Sequence, residues 1–146
     1  MTPYPKIKTI YLAGPMQGIP EFNFPRFNAV TWCLRQDGHT VFNPAERDIE
    51  RAGGVDISKG NAGGVLDAET KKHFSLRQAL ADDTDFICMK ANCIALLPGW
   101  EKSNGAMAEH RLAVALASEG IEVAYLDGDL VALMERAYEV AHAQAA

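Results

Sequence analysis

Ile7-Lys8-Thr9-Ile10-Tyr11-Leu12-Ala13 is rich in β-branched residues and is broken at once by Gly14-Pro15-Met16-Gln17-Gly18. That is the composition of a strand running into a turn. From Phe24 to Gln36 the residues Phe27, Val30, Thr31 and Leu34 recur at helical spacing, and Asp37-Gly38 closes the segment. His39-Thr40-Val41-Phe42-Asn43 then reads as a second short strand, stopped by Pro44. Strand, helix and strand in immediate succession is the βαβ rhythm of a parallel sheet with right-handed crossovers. The alternation continues with a helix from about Ser75 to Lys90, a third strand at Cys93–Leu97 and a helix from Ala106 to Ser118. Gly120 ends that helix, Ile121–Leu126 is a fourth strand, and an alanine-rich helix runs from Leu130 to Ala145. The expectation is one α/β domain over residues 1–146 with a parallel sheet of about four to five strands.

Between Glu46 and Glu69 periodicity is lost, and Gly53-Gly54 and Gly60-Asn61-Ala62-Gly63-Gly64 make a flexible, glycine-rich loop at about 50–68. Such a loop suits a lid or binding loop over a site. A chain of 146 residues is long enough for a substantial core. Its net charge of −5 argues against non-specific binding to nucleic acid, so no direct contact with DNA or RNA is expected. Cys33, Cys88 and Cys93 are an odd set without CxxC spacing. They read as core thiols in a reducing cytoplasm rather than a disulfide framework or a zinc site. Met1 to Lys8 holds no apolar core of a signal peptide, and no run approaches a membrane span, so no membrane partner is expected.

In a parallel sheet the ligand crevice lies beyond the carboxyl ends of the strands. Three segments converge there: Gly14 to Gly18, Asn43 to Glu46 and Pro98 to Gly105. The last belongs to Leu96-Leu97-Pro98-Gly99-Trp100-Glu101-Lys102-Ser103-Asn104-Gly105-Ala106-Met107-Ala108-Glu109, a buried strand, a tight loop and the start of a helix. Ser103, Asn104 and Gly105 stand where unpaired backbone N–H groups and the helix dipole favour an anion. Glu109, one turn further in, could reach a sugar whose phosphate that loop holds. The plainer alternatives are a first-turn helix glutamate for Glu109 and a simple N-cap for Ser103. Gly14 and Pro15 could be only a turn, Asn23 a helix cap, and Trp100 a packing residue instead of a stacking one. Asp82, Asp83 and Asp85 could be a solvated helix face. His39 and His110 have no partner at metal-ligand spacing, so neither a metal nor a cofactor is expected.

Tyr11-Leu12-Ala13-Gly14-Pro15-Met16 resembles the opening motif of the nucleoside 2-deoxyribosyltransferase superfamily. Asn23-Phe24-Pro25-Arg26-Phe27-Asn28, Gly38-His39-Thr40-Val41-Phe42-Asn43-Pro44-Ala45-Glu46 and Leu97-Pro98-Gly99-Trp100-Glu101-Lys102-Ser103 resemble its small deoxyribosyltransferase-like branch, common in phages and prophages. The likeness runs in order from about Ile7 to Asp127 and is specific as a set. It implies a flavodoxin-like (Rossmann-like) three-layer sandwich and chemistry at the N-glycosidic bond of a 2′-deoxynucleoside or its 5′-monophosphate. By resemblance Glu109 matches the nucleophilic glutamate, and Ser103 and Gly105 match the loop that grips a 5′-phosphate in the nucleotide hydrolases. Asp83 is the best match for a second carboxylate, with Asp82 and Asp85 close by. The pattern is broken at Ala91-Asn92, where an Ala-Asp pair commonly stands. The resemblance also implies a homodimer or higher homo-oligomer.

Breaking a deoxyribosyl N-glycosidic bond passes through an oxocarbenium-like centre at C1′, which a carboxylate below the ring stabilises or attacks. A second acid of raised pKa protonates the leaving base. Glu109 and Asp83 are the residues expected to do this. Tyr11, Gly14, Pro15, Met16, Asn23, Trp100, Ser103, Asn104 and Gly105 are the expected substrate contacts. The alternative function is a catalytically silent nucleotide-binding or sensing module.

Overall fold

The computed structural model describes residues 6–143. Four strands, β1 (Thr9–Ala13), β2 (Thr40–Phe42), β3 (Cys93–Leu96) and β4 (Glu122–Tyr125), pair in parallel in the order β2-β1-β3-β4. Around them lie α1 (Phe24–Gln36), α2 (Pro44–Arg51), α3 (Ala68–Lys71), α4 (Leu76–Met89), α5 (Asn104–Ala115) and α6 (Gly128–His142). α1 packs with α6 on one face and α4 with α5 on the other, giving a flavodoxin-like three-layer sandwich. The final residues of the expected last helix, 144 and 145, lie outside the described residues, as does most of the stretch read for a signal peptide.

The layers follow from strand alternation, which sends successive side chains to opposite faces. Ile10 and Leu12 enter the core under α1 and α6, together with Cys93, Ala95 and Leu97. Tyr11 and Ala13 point the other way, beside Ile94, Leu96 and the α4 and α5 residues Ile87 and Ala113. A single residue of register therefore decides that Tyr11 faces α4 and α5. Chain order reverses between β1 and β3, since β1 leads outward to β2 and the chain then returns to β3 on the other side. Crevices at such switch points, outside the carboxyl ends of the strands, are where open α/β sheets bind ligands.

The region from Glu46 to Glu69 is not structureless. α2 occupies its beginning, and α3 begins near its end. The Asn43 side chain caps α2 by accepting from the Ala45 N–H, and Pro44 takes the first helical position. Between the two helices the chain is a series of turns anchored by buried Ile57 and Ser58. Those turns are tied to the β1–α1 connection through Gly18 N–H to the Gly64 carbonyl and Glu21 N–H to the Asn61 carbonyl, both 2.9 Å. Gly64 has φ +60°, and a Cβ there would sit 2.1 Å from the Ile19 carbonyl oxygen. Gly64→Ala is expected to destabilise the protein by at least about 2 kcal/mol, because both the backbone conformation and the close approach exclude a side chain. Urea denaturation checks this, and a loss below about 0.5 kcal/mol, the scale of ordinary surface substitutions, would show that the two segments do not need this approach.

Of the three thiols expected in the core, Cys93 is buried, Cys33 is half-buried and Cys88 is exposed on α4. α4 turns Ala79, Asp83 and Ile87 inward, which leaves position 88 facing out. No helix is long and apolar enough to cross a membrane among the described residues.

Candidate active site

A cavity of about 700 Å³ opens beyond the carboxyl ends of β1 and β3. This is ample for a small organic ligand. Its floor is the end of β1, with Tyr11, Ala13 and Gly14. Gly14 must be glycine, because a Cβ there would lie 2.8 Å from the Leu97 Cβ. Leu97 N–H donates to the Ala13 carbonyl at 2.8 Å, drawing the two strand ends together beneath the site.

One wall is the start of α5. Ser103 is its N-cap, with Oγ accepting from the Ala106 N–H at 3.2 Å. Asn104 and Gly105 are the first helical residues, so their N–H groups are among those a helix leaves without an internal acceptor. Both line the cavity, as does Lys102. Glu109 follows in the second turn, not the first, and is only 6 % exposed. The dipole effect fades within the first turn and does not account for a buried carboxylate at this place.

The chemistry concentrates where Tyr11, Asp48, Asp83 and Glu109 line the cavity together. The Tyr11 hydroxyl donates to Glu109 Oε2 at 2.6 Å, a short contact between two buried side chains. Asp83 belongs to the buried stripe of α4, and its Oδ1 has no hydrogen-bond partner among the described residues. The nearest cation is Arg51, whose Nη1 lies 3.9 Å from that atom. The same guanidinium reaches Asp48 Oδ1 through Nη2 at 2.5 Å and Asp82 Oδ2 through Nη1 at 3.0 Å. One arginine therefore serves three carboxylates.

Burial dominates how these groups titrate. Desolvation pushes Glu109 up to about 8; the Tyr11 hydroxyl pulls it down, while Asp83 and Asp48 push it further up. Asp83 is raised to about 7 by burial, against the opposing pull of Arg51 and Tyr11. Asp48 rises to about 6 for the same reason, restrained by its contact with Arg51. The Tyr11 hydroxyl is pushed well above its ordinary range, by burial and by the neighbouring carboxylates, so it remains a donor. Such a group of raised carboxylates in a cleft is the pattern expected of acid–base chemistry near neutral pH.

The remaining expected site residues fall into place as follows. Pro15, Met16 and Asn23 line the cavity. Asn23 occupies the N-cap position of α1, but its side chain makes no cap; its Nδ2 donates to the Pro15 carbonyl at 3.0 Å. Glu21, Phe22 and Asn23 all have φ between 53° and 63°, a left-handed turn held by buried Phe22 and Phe24. Trp100 does not line the cavity. Its ring lies 4.3 Å from that of His110 and 5.8 Å from that of Tyr125. Asp82 faces Arg51 and Gln78, and Asp85 is exposed outside the cavity. Asn92 lies at the amino end of β3, opposite the site, where its Oδ1 accepts from the Thr9 N–H at 2.9 Å. Asn92 therefore ties the sheet's other edge and does not touch the cavity.

Sequence reasoning missed Asp48 and Arg51. Their signal was local: a capped helix start at Asn43-Pro44, followed by an acid and a base three residues apart.

The family model for a domain of unknown function, DUF4406, matches residues 8–125, and the chain belongs to that family. No curated protein and no solved structure matches the chain.

Proposed function

We propose that this protein cleaves the N-glycosidic bond of a 2′-deoxynucleoside or its 5′-monophosphate, by hydrolysis or by transfer of the sugar to a second base. The reading extends the likeness to the nucleoside 2-deoxyribosyltransferase superfamily. The observation that carries it is the buried Glu109 carboxylate, hydrogen-bonded by Tyr11 and sharing one cavity with Asp83. Ionised Glu109 attacks C1′ and forms the glycosyl ester as the C1′–N bond breaks. The electron pair of that bond goes to the base nitrogen, and Asp83 delivers its proton to the base. Water, or an N–H of a second base, then attacks C1′ and releases the Glu109 carboxylate, and the proton it loses returns to Asp83. The Tyr11 hydroxyl holds the carboxylate in one orientation throughout. The N–H groups at the start of α5 and Lys102 supply the anion-binding side that a 5′-phosphate would use. Free thiols accord with a reducing cytoplasm, and exposed Leu133 and Val140 on α6 offer an apolar face for self-association.

The test is chromatographic release of free base from each common deoxynucleoside and its 5′-monophosphate, followed across pH. Glu109 must lose a proton to attack, and Asp83 must keep one to give. The rate should therefore rise as Glu109 ionises towards about 8 and fall as Asp83 deprotonates above about 7. The expected kcat/KM profile is a bell with its top between those values, since the pair titrates together. A flat profile from pH 5 to 9 on a working enzyme would remove these two carboxylates from the mechanism. Failure to release base from any of these substrates would count against the reaction itself.

A further inference from the structure

The cavity is chemically two-sided. The α5 wall is polar, with Lys102, Ser103 and Asn104. The α4 wall, followed outward from Asp83, is Leu80, Leu76 and Phe74, and Leu66 and Met16 line the same space. Leu80, Phe74, Leu66 and Met16 are only half-buried, and Leu76 is 50 % exposed. These side chains therefore present bare apolar surface, in contrast to Phe22, Phe24 and Phe27, which are at most 2 % exposed. α4 ends at the amino edge of the sheet, since β3 follows it, so its first turn stands at the cavity mouth. From Asp83 to Leu76 is seven residues, about 10 Å of helix rise. That distance exceeds the reach of any unsubstituted purine or pyrimidine ring.

Asp83 marks the side on which the leaving base lies, and the anion-binding wall lies on the other. We infer that the substrate's base carries an apolar substituent, which lies along Leu80, Leu76 and Phe74 towards the mouth. This rests on the glycosidic reading for the position of the base. The physical reason is that a bare ring would leave the outer wall against water, whereas an alkyl or aryl arm would cover it and gain in proportion to the area covered.

The experiment is titration calorimetry on the Glu109→Gln protein, which binds without turnover. Deoxyadenosine monophosphate is compared with its N6-benzyl derivative, and deoxyuridine monophosphate with its 5-phenyl derivative. At least tenfold tighter binding of the substituted member in either pair is expected. Leu76→Ser and Phe74→Ser should each bring that ratio towards one, and Met89→Ser, exposed at the far end of α4, should not change it. Equal affinities in both pairs, with base release from the bare nucleotides by the wild-type protein, would overturn the inference and leave the glycosidic reading intact. Tighter binding of a substituted nucleotide, with no base release from any by the wild-type protein, would keep the apolar subsite and overturn the reaction. No binding of any of the four would overturn both.

Discussion

Glu109→Gln is expected to lower base release at least a hundredfold and, in the same protein, to raise the melting temperature at pH 8. The loss follows from removing the carboxylate proposed to form the glycosyl ester, and with it the negative charge that stabilises C1′; one such electrostatic group is typically worth about 3 kcal/mol of barrier. The gain follows from burial. A carboxylate whose folded pKa stands at about 8, against about 4.3 in an unfolded chain, holds its proton more tightly when folded. Its burial therefore costs nothing below pH 4, and the penalty grows as pH rises towards 8, becoming constant above that value. Glutamine has nearly the shape of the protonated acid, can still accept from the Tyr11 hydroxyl and never ionises. The stabilisation should be small at pH 4.5 and grow by several kcal/mol towards pH 8. Thermal melts at the two pH values measure it alongside the activity assay. A variant that melts below the wild type at pH 8 would mean that Glu109 is a structural anchor, and undiminished turnover would remove it as the nucleophile.

The same opposition between stability and chemistry explains what was readable in the chain. Strands and flanking helices were legible because burial on both faces writes apolar runs such as Ile10 to Ala13 and Cys93 to Leu97. Turn chemistry was legible too: Ser103 is a cap and Gly120 ends a helical segment in a left-handed conformation. Asp83 could have been separated from Asp82 and Asp85 by spacing alone, since Ala79, Asp83 and Ile87 recur every four residues on the buried stripe of α4. α2 was illegible for the converse reason. It packs through little more than Ala45 and Ile49, and its other inward residue is Asp48, so no apolar period marks it. Trp100 was equally opaque, because the partners that draw it away from the cavity, His110 and Tyr125, come from α5 and β4 and meet only in the folded protein.

Arg51→Met should be among the most destabilising substitutions in the protein, and its effect should depend strongly on pH. Arg51 is 17 % exposed at the side chain and Asp48 is 5 % exposed, so their ion pair is largely withdrawn from water. Removing one member of a buried pair leaves an uncompensated charge and typically costs about 3–5 kcal/mol, whereas exposed pairs contribute about 1 kcal/mol or less. Here the guanidinium also approaches Asp82 and Asp83, so its loss leaves like charges facing one another. The carboxylates carry the sign. With Arg51 present, Asp48 and Asp83 already titrate at about 6 and about 7 when folded, and without it both must rise further. Below pH 4 they are protonated in both the folded and the unfolded chain, and the arginine has little to compensate. As pH rises through the folded values, the variant must bury charges or retain protons that the unfolded chain releases, so its deficit widens. Urea denaturation should give a loss of about 3 kcal/mol or more at pH 8 and about 1 kcal/mol or less at pH 4.5. An equal loss at both pH values would mean that the arginine acts through its aliphatic packing. In that case the arginine would do little to restrain the raised protonation that burial imposes on the acids around the cavity.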